Sequence, residues 1–168
     1  MANQPRIEER PERAFVGVRG RVTWDTFGRL ADRLPEIVGW LGERGIPMAD
    51  GPFFKYEVLD PEDRTREFEV VAGVPVGERV RVPGGELFVG TLPAGRYVTV
   101  RHVGHPDELF AVTATVLKWA EAKGLAWDME RTEAGEVWGC RLESYKTDPR
   151  VEPDLNKWET ELAFRLRD

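Results

Sequence analysis

The residues with the most chemical potential lie in one run of the second half, Trp138-Gly139-Cys140-Arg141-Leu142-Glu143-Ser144-Tyr145. An acid set inside a strand between aromatic residues is partly desolvated, which raises its pKa and makes its unpaired charge costly. A flat, delocalised cation relieves that cost, and each well-placed ring adds about 0.5–2 kcal/mol of cation–π attraction. Glu143 with Tyr145, two residues on and so on the same face of a strand, therefore reads as a receptor for flat or cationic organic molecules. The alternative is structural: Glu143 paired with Arg141 or Arg101. Trp40 and Trp119 lie five residues before Gly45 and Gly124 respectively. They either cap their own cores or form two walls of a cleft.

The elements that position these residues repeat. Ala14 to Thr23 is a strand-like run, followed by Phe27, Leu30, Leu34, Ile37, Val38 and Leu41 at helical spacing, with a stop at Arg44-Gly45 and an interruption expected at Pro35. Phe53 to Leu59 and Glu67 to Val76 return as paired strands. After a connection at Gly77 to Glu86 the programme restarts. Leu87 to Val103 is strand-rich with a turn at Pro93-Ala94-Gly95, Pro106 opens a helix that ends at Lys123-Gly124, and Gly135 to Thr147 pairs with Lys157 to Arg167. The expected fold is α+β. It consists of two duplicated strand-helix-strand-strand modules, about 14–76 and 87–167, around a pseudo-two-fold axis with a central cleft.

With 168 residues, 41% of them hydrophobic, the chain is sized for a single domain over 1–168 that buries roughly two-thirds of its unfolded surface. The net charge of −6 argues against nucleic acid or an anionic membrane as a direct partner. The single cysteine, Cys140, permits no intramolecular disulfide, and it reads as a small buried apolar residue. The charged start of the chain is unlike a signal peptide, and no apolar run approaches the ~20 residues of a membrane span; a cytoplasmic protein is expected. His102 and His105 read as strand-end and helix-cap residues, so no metal and no cofactor are expected. Residues 61–66 and 130–133 read as solvated loops, and the polar leader before Ala14 as mobile.

Several stretches together resemble the GyrI-like small-molecule-binding domains: Leu92-Pro-Ala-Gly-Arg-Tyr-Val-Thr-Val-Arg-His-Val-Gly104, the helix ending at Gly124, Gly51-Pro-Phe-Phe-Lys-Tyr56, Glu143-Ser-Tyr145 with Asp148-Pro149, and Thr160-Glu-Leu-Ala-Phe-Arg-Leu166. Related domains form the effector-binding end of BmrR-type multidrug regulators and of some AraC-type regulators. The resemblance implies two modules around a cleft, a drug-binding carboxylate at Glu143 and a first-module aromatic at Tyr56. Many members carry a tyrosine where this chain has Ala163, so the resemblance implies that Trp138 or Trp158 completes the aromatic cage. No DNA-binding helix-turn-helix is legible, and a ligand domain standing alone is expected.

Three functions follow from this resemblance. The first is a stand-alone multidrug-binding protein with Glu143, Tyr145, Tyr56, Trp40, Trp119, Trp138 and Trp158 around its ligand. The second is a hydrolase of cyclopropane-containing genotoxins. There Glu143 would orient water while Tyr56 or Tyr145 donates to the carbonyl oxygen as it gains charge. The third is a regulator that binds a protein partner such as gyrase.

Overall fold

The computed structural model describes residues 4–168 and is built on one ten-stranded sheet. Its elements in chain order are β1 (Arg6–Arg10), β2 (Arg13–Val22), α1 (Phe27–Ala31), α2 (Arg33–Glu43), β3 (Phe53–Leu59), β4 (Phe68–Val76), β5 (Phe88–Leu92) and β6 (Gly95–Val103). A single 3-10 turn over Pro106–Glu108 then leads into α3 (Leu109–Ala122), followed by β7 (Met129–Thr132), β8 (Gly135–Trp138), β9 (Arg141–Tyr145) and β10 (Glu159–Arg165).

Local chemistry accounts for the helix ends. Pro35 has no amide hydrogen to give the Ala31 carbonyl, and the first helix is broken one turn earlier, at Asp32. Gly45 and Gly124 adopt φ of 66° and 68°, and the amides that follow them, Ile46 and Leu125, reach back to the Leu41 and Ala120 carbonyls at 3.0 Å each. At the start of α3, the His105 ring accepts from the Asp107 amide while the Glu108 carboxylate accepts from the His105 amide, a reciprocal cap.

The strands run in the order β1-β6-β10-β9-β3-β4-β2-β5, antiparallel at every pairing, and the sheet is curled. Its centre is the β3–β9 pair, in which Phe54 stands opposite Glu143. One face carries the main core, where Ile37 and Leu41 of α2 and Val112 and Val116 of α3 meet Val16, Val70, Val98 and Leu162 of the strands. The other face has no helix in its core; Phe15, Phe53, Tyr97, Leu142 and Ala163 pack there on one another as the sheet curls.

Four expectations are corrected. The polar leader contains a strand, β1, whose Ile7 pairs with Val98, and Arg10 is held to the buried Glu161 at 2.8 Å. Residues 1–3, where the leader begins, lie outside the described residues. Glu130 to Thr132, read as loop, belong to β7, which pairs with β8. The strand expected over Gly135 to Thr147 is split at Gly139 and Cys140. A Cβ at Gly139 would lie 1.9 Å from Asp128 Oδ2, and its amide donates to the Asp128 carbonyl at 2.8 Å, so the chain is drawn out of line there. Cys140 is fully buried, in that break rather than inside a strand.

Candidate functional site

Alternation along β9 sends Leu142 into the helix-free core and turns Arg141, Glu143 and Tyr145 to the helical face. On the neighbouring β3 the same alternation turns Phe54 and Tyr56 to that face, while a bulge between Tyr56 and Val58 lets the strand leave β9 and continue against β8. Glu143 Oε2 thereby accepts two hydroxyl hydrogen bonds, from Tyr56 at 3.0 Å and from Tyr145 at 2.8 Å. Neither hydroxyl reaches Oε1.

Burial raises the Glu143 pKa, outweighing the two phenol hydrogen bonds and the nearby Arg141 charge that favour the carboxylate. Both phenols are pushed well above their ordinary range, first by burial and then by the Glu143 charge. They therefore remain protonated donors at neutral pH, and the charge of the cluster rests on one half-buried carboxyl.

Beside this cluster opens a cavity of about 660 Å³, within the size range of small-molecule sites. Trp24, Phe68, Phe110, Leu117, Trp127 and Trp138 supply much of its wall. Tyr56 joins the cluster to the cavity, its ring centroid 6.3 Å from Trp24 and 6.1 Å from Phe68. Trp24 is the hub of the mouth. It packs on Phe68 at 4.5 Å and meets Phe110 of α3 edge-on at 5.2 Å, so that rings from both halves of the chain close on each other. The turn that presents it is tied at both ends: the Thr23 amide donates to Thr26 Oγ1 at 2.8 Å, and the Thr26 amide to the Thr23 carbonyl at 3.1 Å.

The seven residues singled out by sequence separate in the structure. Glu143, Tyr56 and Tyr145 are brought together but do not themselves line the cavity, whereas Trp138 does, its Nε1–H donating to Glu136 at 3.1 Å. Trp40 and Trp119 are not in the cavity wall. Each is instead covered by the cation one turn on, Arg44 at 4.1 Å and Lys123 at 4.9 Å from the ring centroids. Trp158 is also outside the wall, its Nε1–H donating to the Glu152 carbonyl at 2.7 Å. Glu143 pairs with neither Arg141 nor Arg101; Arg101 is held by Glu159 at 2.6 Å.

Sequence reasoning missed Trp24, Phe68, Phe110, Trp127 and Arg141. Phe110 carried a signal, since it lies off the stripe formed by Leu109, Val112 and Val116 and is a large aromatic residue left 56% exposed.

Comparison with known proteins bears on the family and the fold. The model of the GyrI-like small molecule binding domain matches residues 3–167. Among solved structures, the fold is similar to the EcmrR C-terminal domain, with a TM-score of 0.74 and 21% identity, covering 98% of this chain and 98% of that one. In a cryo-EM structure of an EcmrR–DNA complex the TM-score is 0.75 at 20% identity, and the match covers 98% of this chain but 57% of that chain. SAV2435 bound to tetraphenylphosphonium is similar at a TM-score of 0.66 and 10% identity, covering 98% and 94% of the two chains. A hydrolase from Listeria innocua is similar at 0.65 and 17%, covering 98% and 92%. No curated protein sequence matches the chain. A ligand-sized aromatic cavity beside a half-buried carboxylate, in a fold matched almost end to end by the family model, leads to one conclusion: the chain belongs to the GyrI-like small-molecule-binding domain family.

Proposed function

We propose that this chain binds flat aromatic molecules, often cationic and of more than one kind, in the cavity walled by Trp24, Phe68 and Trp138, with Glu143, which lies beside that wall behind Tyr56, as the carboxylate that meets the ligand's charge. The observation that carries this reading is the convergence of Tyr56 and Tyr145 on one oxygen of Glu143 beside an aromatic cavity. The hydroxyls fix the carboxylate's orientation, burial makes its charge costly, and a delocalised cation between rings offsets that cost. The similar SAV2435 structure holds tetraphenylphosphonium, a cation shielded by aromatic rings, which supports the same chemistry here. Fluorescence titration with a cationic xanthylium dye tests it. Glu143→Gln is expected to weaken binding by about tenfold or more, the scale of a lost charge-assisted contact. Unchanged affinity would remove Glu143 from the site.

A second reading, hydrolysis of cyclopropane-bearing genotoxins, draws support from the similar Listeria innocua hydrolase. Geometry favours it less: both phenol hydrogens already point at Glu143 Oε2, so neither meets a developing oxyanion unless it turns away. Loss of the chromophore of such a compound over hours, abolished in Glu143→Gln, would establish catalysis. Its return unchanged would leave the binding protein.

The strand order supports duplicated halves. From one edge to the centre the sheet runs β1-β6-β10-β9 and from the other β5-β2-β4-β3, so that β6, β10 and β9 stand where β2, β4 and β3 do, while the β7–β8 hairpin has no counterpart in the first half. Superposition of residues 14–76 on 87–166 is expected to lay Trp40 over Trp119. Failure to align α2 with α3 while the strands match would reject the duplication.

A further inference from the structure

Among the described residues that line the cavity, Arg141 alone has a buried side-chain donor without a partner. Its Nε is shut away from solvent without an acceptor, and its ion pair with Glu136 is long, Nη1 standing 4.0 Å from Oε1. Glu136 is engaged elsewhere: the same Oε1 accepts the Trp138 indole N–H at 3.1 Å, and Oε2 lies 3.3 Å from Arg131. The guanidinium faces are well served by rings, with Phe164 at 4.6 Å, Trp138 at 5.0 Å and Tyr56 at 5.9 Å. Rings satisfy the faces of a guanidinium but not its edge, where the N–H donors need oxygen acceptors in the plane. Burial accordingly pulls the Arg141 pKa down from its ordinary value.

Resting on the binding reading above, we infer that the cavity's ligand carries an oxyanion, most simply a carboxylate, which docks on the donor edge of Arg141. The flat body of the ligand then lies along Trp24 and Phe68. Arg141 and Glu143 project from the same strand face two residues apart, about 7 Å at strand rise. The pair therefore suits an aromatic zwitterion, with its anionic group at Arg141 and its delocalised cation toward Glu143. A carboxylate supplies in-plane acceptors to a guanidinium whose ion pair with Glu136 is long, so the gain is that of a new charge-assisted contact.

A matched pair of dyes tests the inference: a xanthylium dye bearing a free ortho-carboxyphenyl group, and its methyl ester, which has the same chromophore and one more net positive charge. The protein's net charge of −6 favours the ester at long range, so a preference for the acid has to come from the site. The wild-type protein is expected to bind the acid about tenfold more tightly than the ester. Arg141→Met, checked for fold by circular dichroism, should erase that preference. Arg141→Lys, which keeps the charge but not the planar donor edge, should retain only part of it, and it decides the matter should the Met variant fail to fold. An ester bound as tightly as the acid by the wild type, or an acid preference that survives in Arg141→Met, would overturn the inference and leave the binding reading standing. If neither dye binds, both fall.

Discussion

Glu143 concentrates the electrostatic cost of the site in one residue. Its pKa is raised in the folded protein, so its contribution to stability is fully present below the ordinary carboxylate range and is lost as pH rises through the raised value. Wherever it is ionised, the half-buried carboxylate therefore burdens the fold. Glu143→Gln keeps an acceptor for the tyrosine hydroxyls and removes the charge, and its Tm is expected to exceed that of the parent near pH 7. The scale is roughly 2–4 °C per kcal/mol for a chain of this size. The difference should vanish on acidification below about pH 4. A thermal melt series from pH 4 to 8 checks this, and a Tm gap that widens on acidification would show that the charge is stabilising instead. Arg141 is the complementary case, a cation kept among rings and only loosely paired.

At the scale of elements, the wall of the cavity depends on two pieces that meet across it, the Thr23–Thr26 turn carrying Trp24 and the first turn of α3 carrying Phe110. Trp24→Ala is expected to lower affinity for cationic and neutral aromatic dyes alike by about tenfold, the scale of one or two lost ring contacts. Trp119→Ala should change dye affinity by less than about twofold, because its ring lies under Lys123 and outside the cavity wall, whatever it costs the packing of α3. Fluorescence titration of the two variants with the same dye separates them. Equal losses would mean that the helix end carrying Trp119 closes over the ligand.

At the scale of the whole molecule, both edges of the sheet are made by strands that pair with partners distant in the chain: β1 with β6, and β5 with β2. Arg10 at the end of β1 reaches the buried Glu161 at 2.8 Å. Lys146 at 3.8 Å and Arg101 at 3.6 Å from the same carboxylate give only partial cover. Arg10→Met is thus expected to destabilise the protein by about 2 kcal/mol, less than the 3–5 of a fully orphaned buried charge. The urea midpoint measures it, and an unmoved midpoint would show that Lys146 and Arg101 suffice. Among the described residues no helix is long and apolar enough to cross a membrane.

The sequence alone determined whatever acts over a few residues. The helical period of Ile37 and Leu41, the glycine stops at Gly45 and Gly124 and the break before Pro35 were legible because caps and proline act within one turn. So was an acid between aromatics on β9, since the two-residue alternation of a strand puts Glu143 and Tyr145 on one face whatever lies opposite. Only the tertiary structure decided what stands across from them. That Tyr56 reaches Glu143 depends on β3 and β9 being neighbours and on a bulge just beyond. That Trp24 rather than Trp40 or Trp119 lines the cavity depends on the turn angle at Thr23 and on how each helix is rotated over the sheet. That the polar leader forms a strand depends on a free edge of β6, far along the chain. Register, rotation and edge pairing are settled by burying surfaces from distant segments at once, and no local window of the chain contains both sides of that contact.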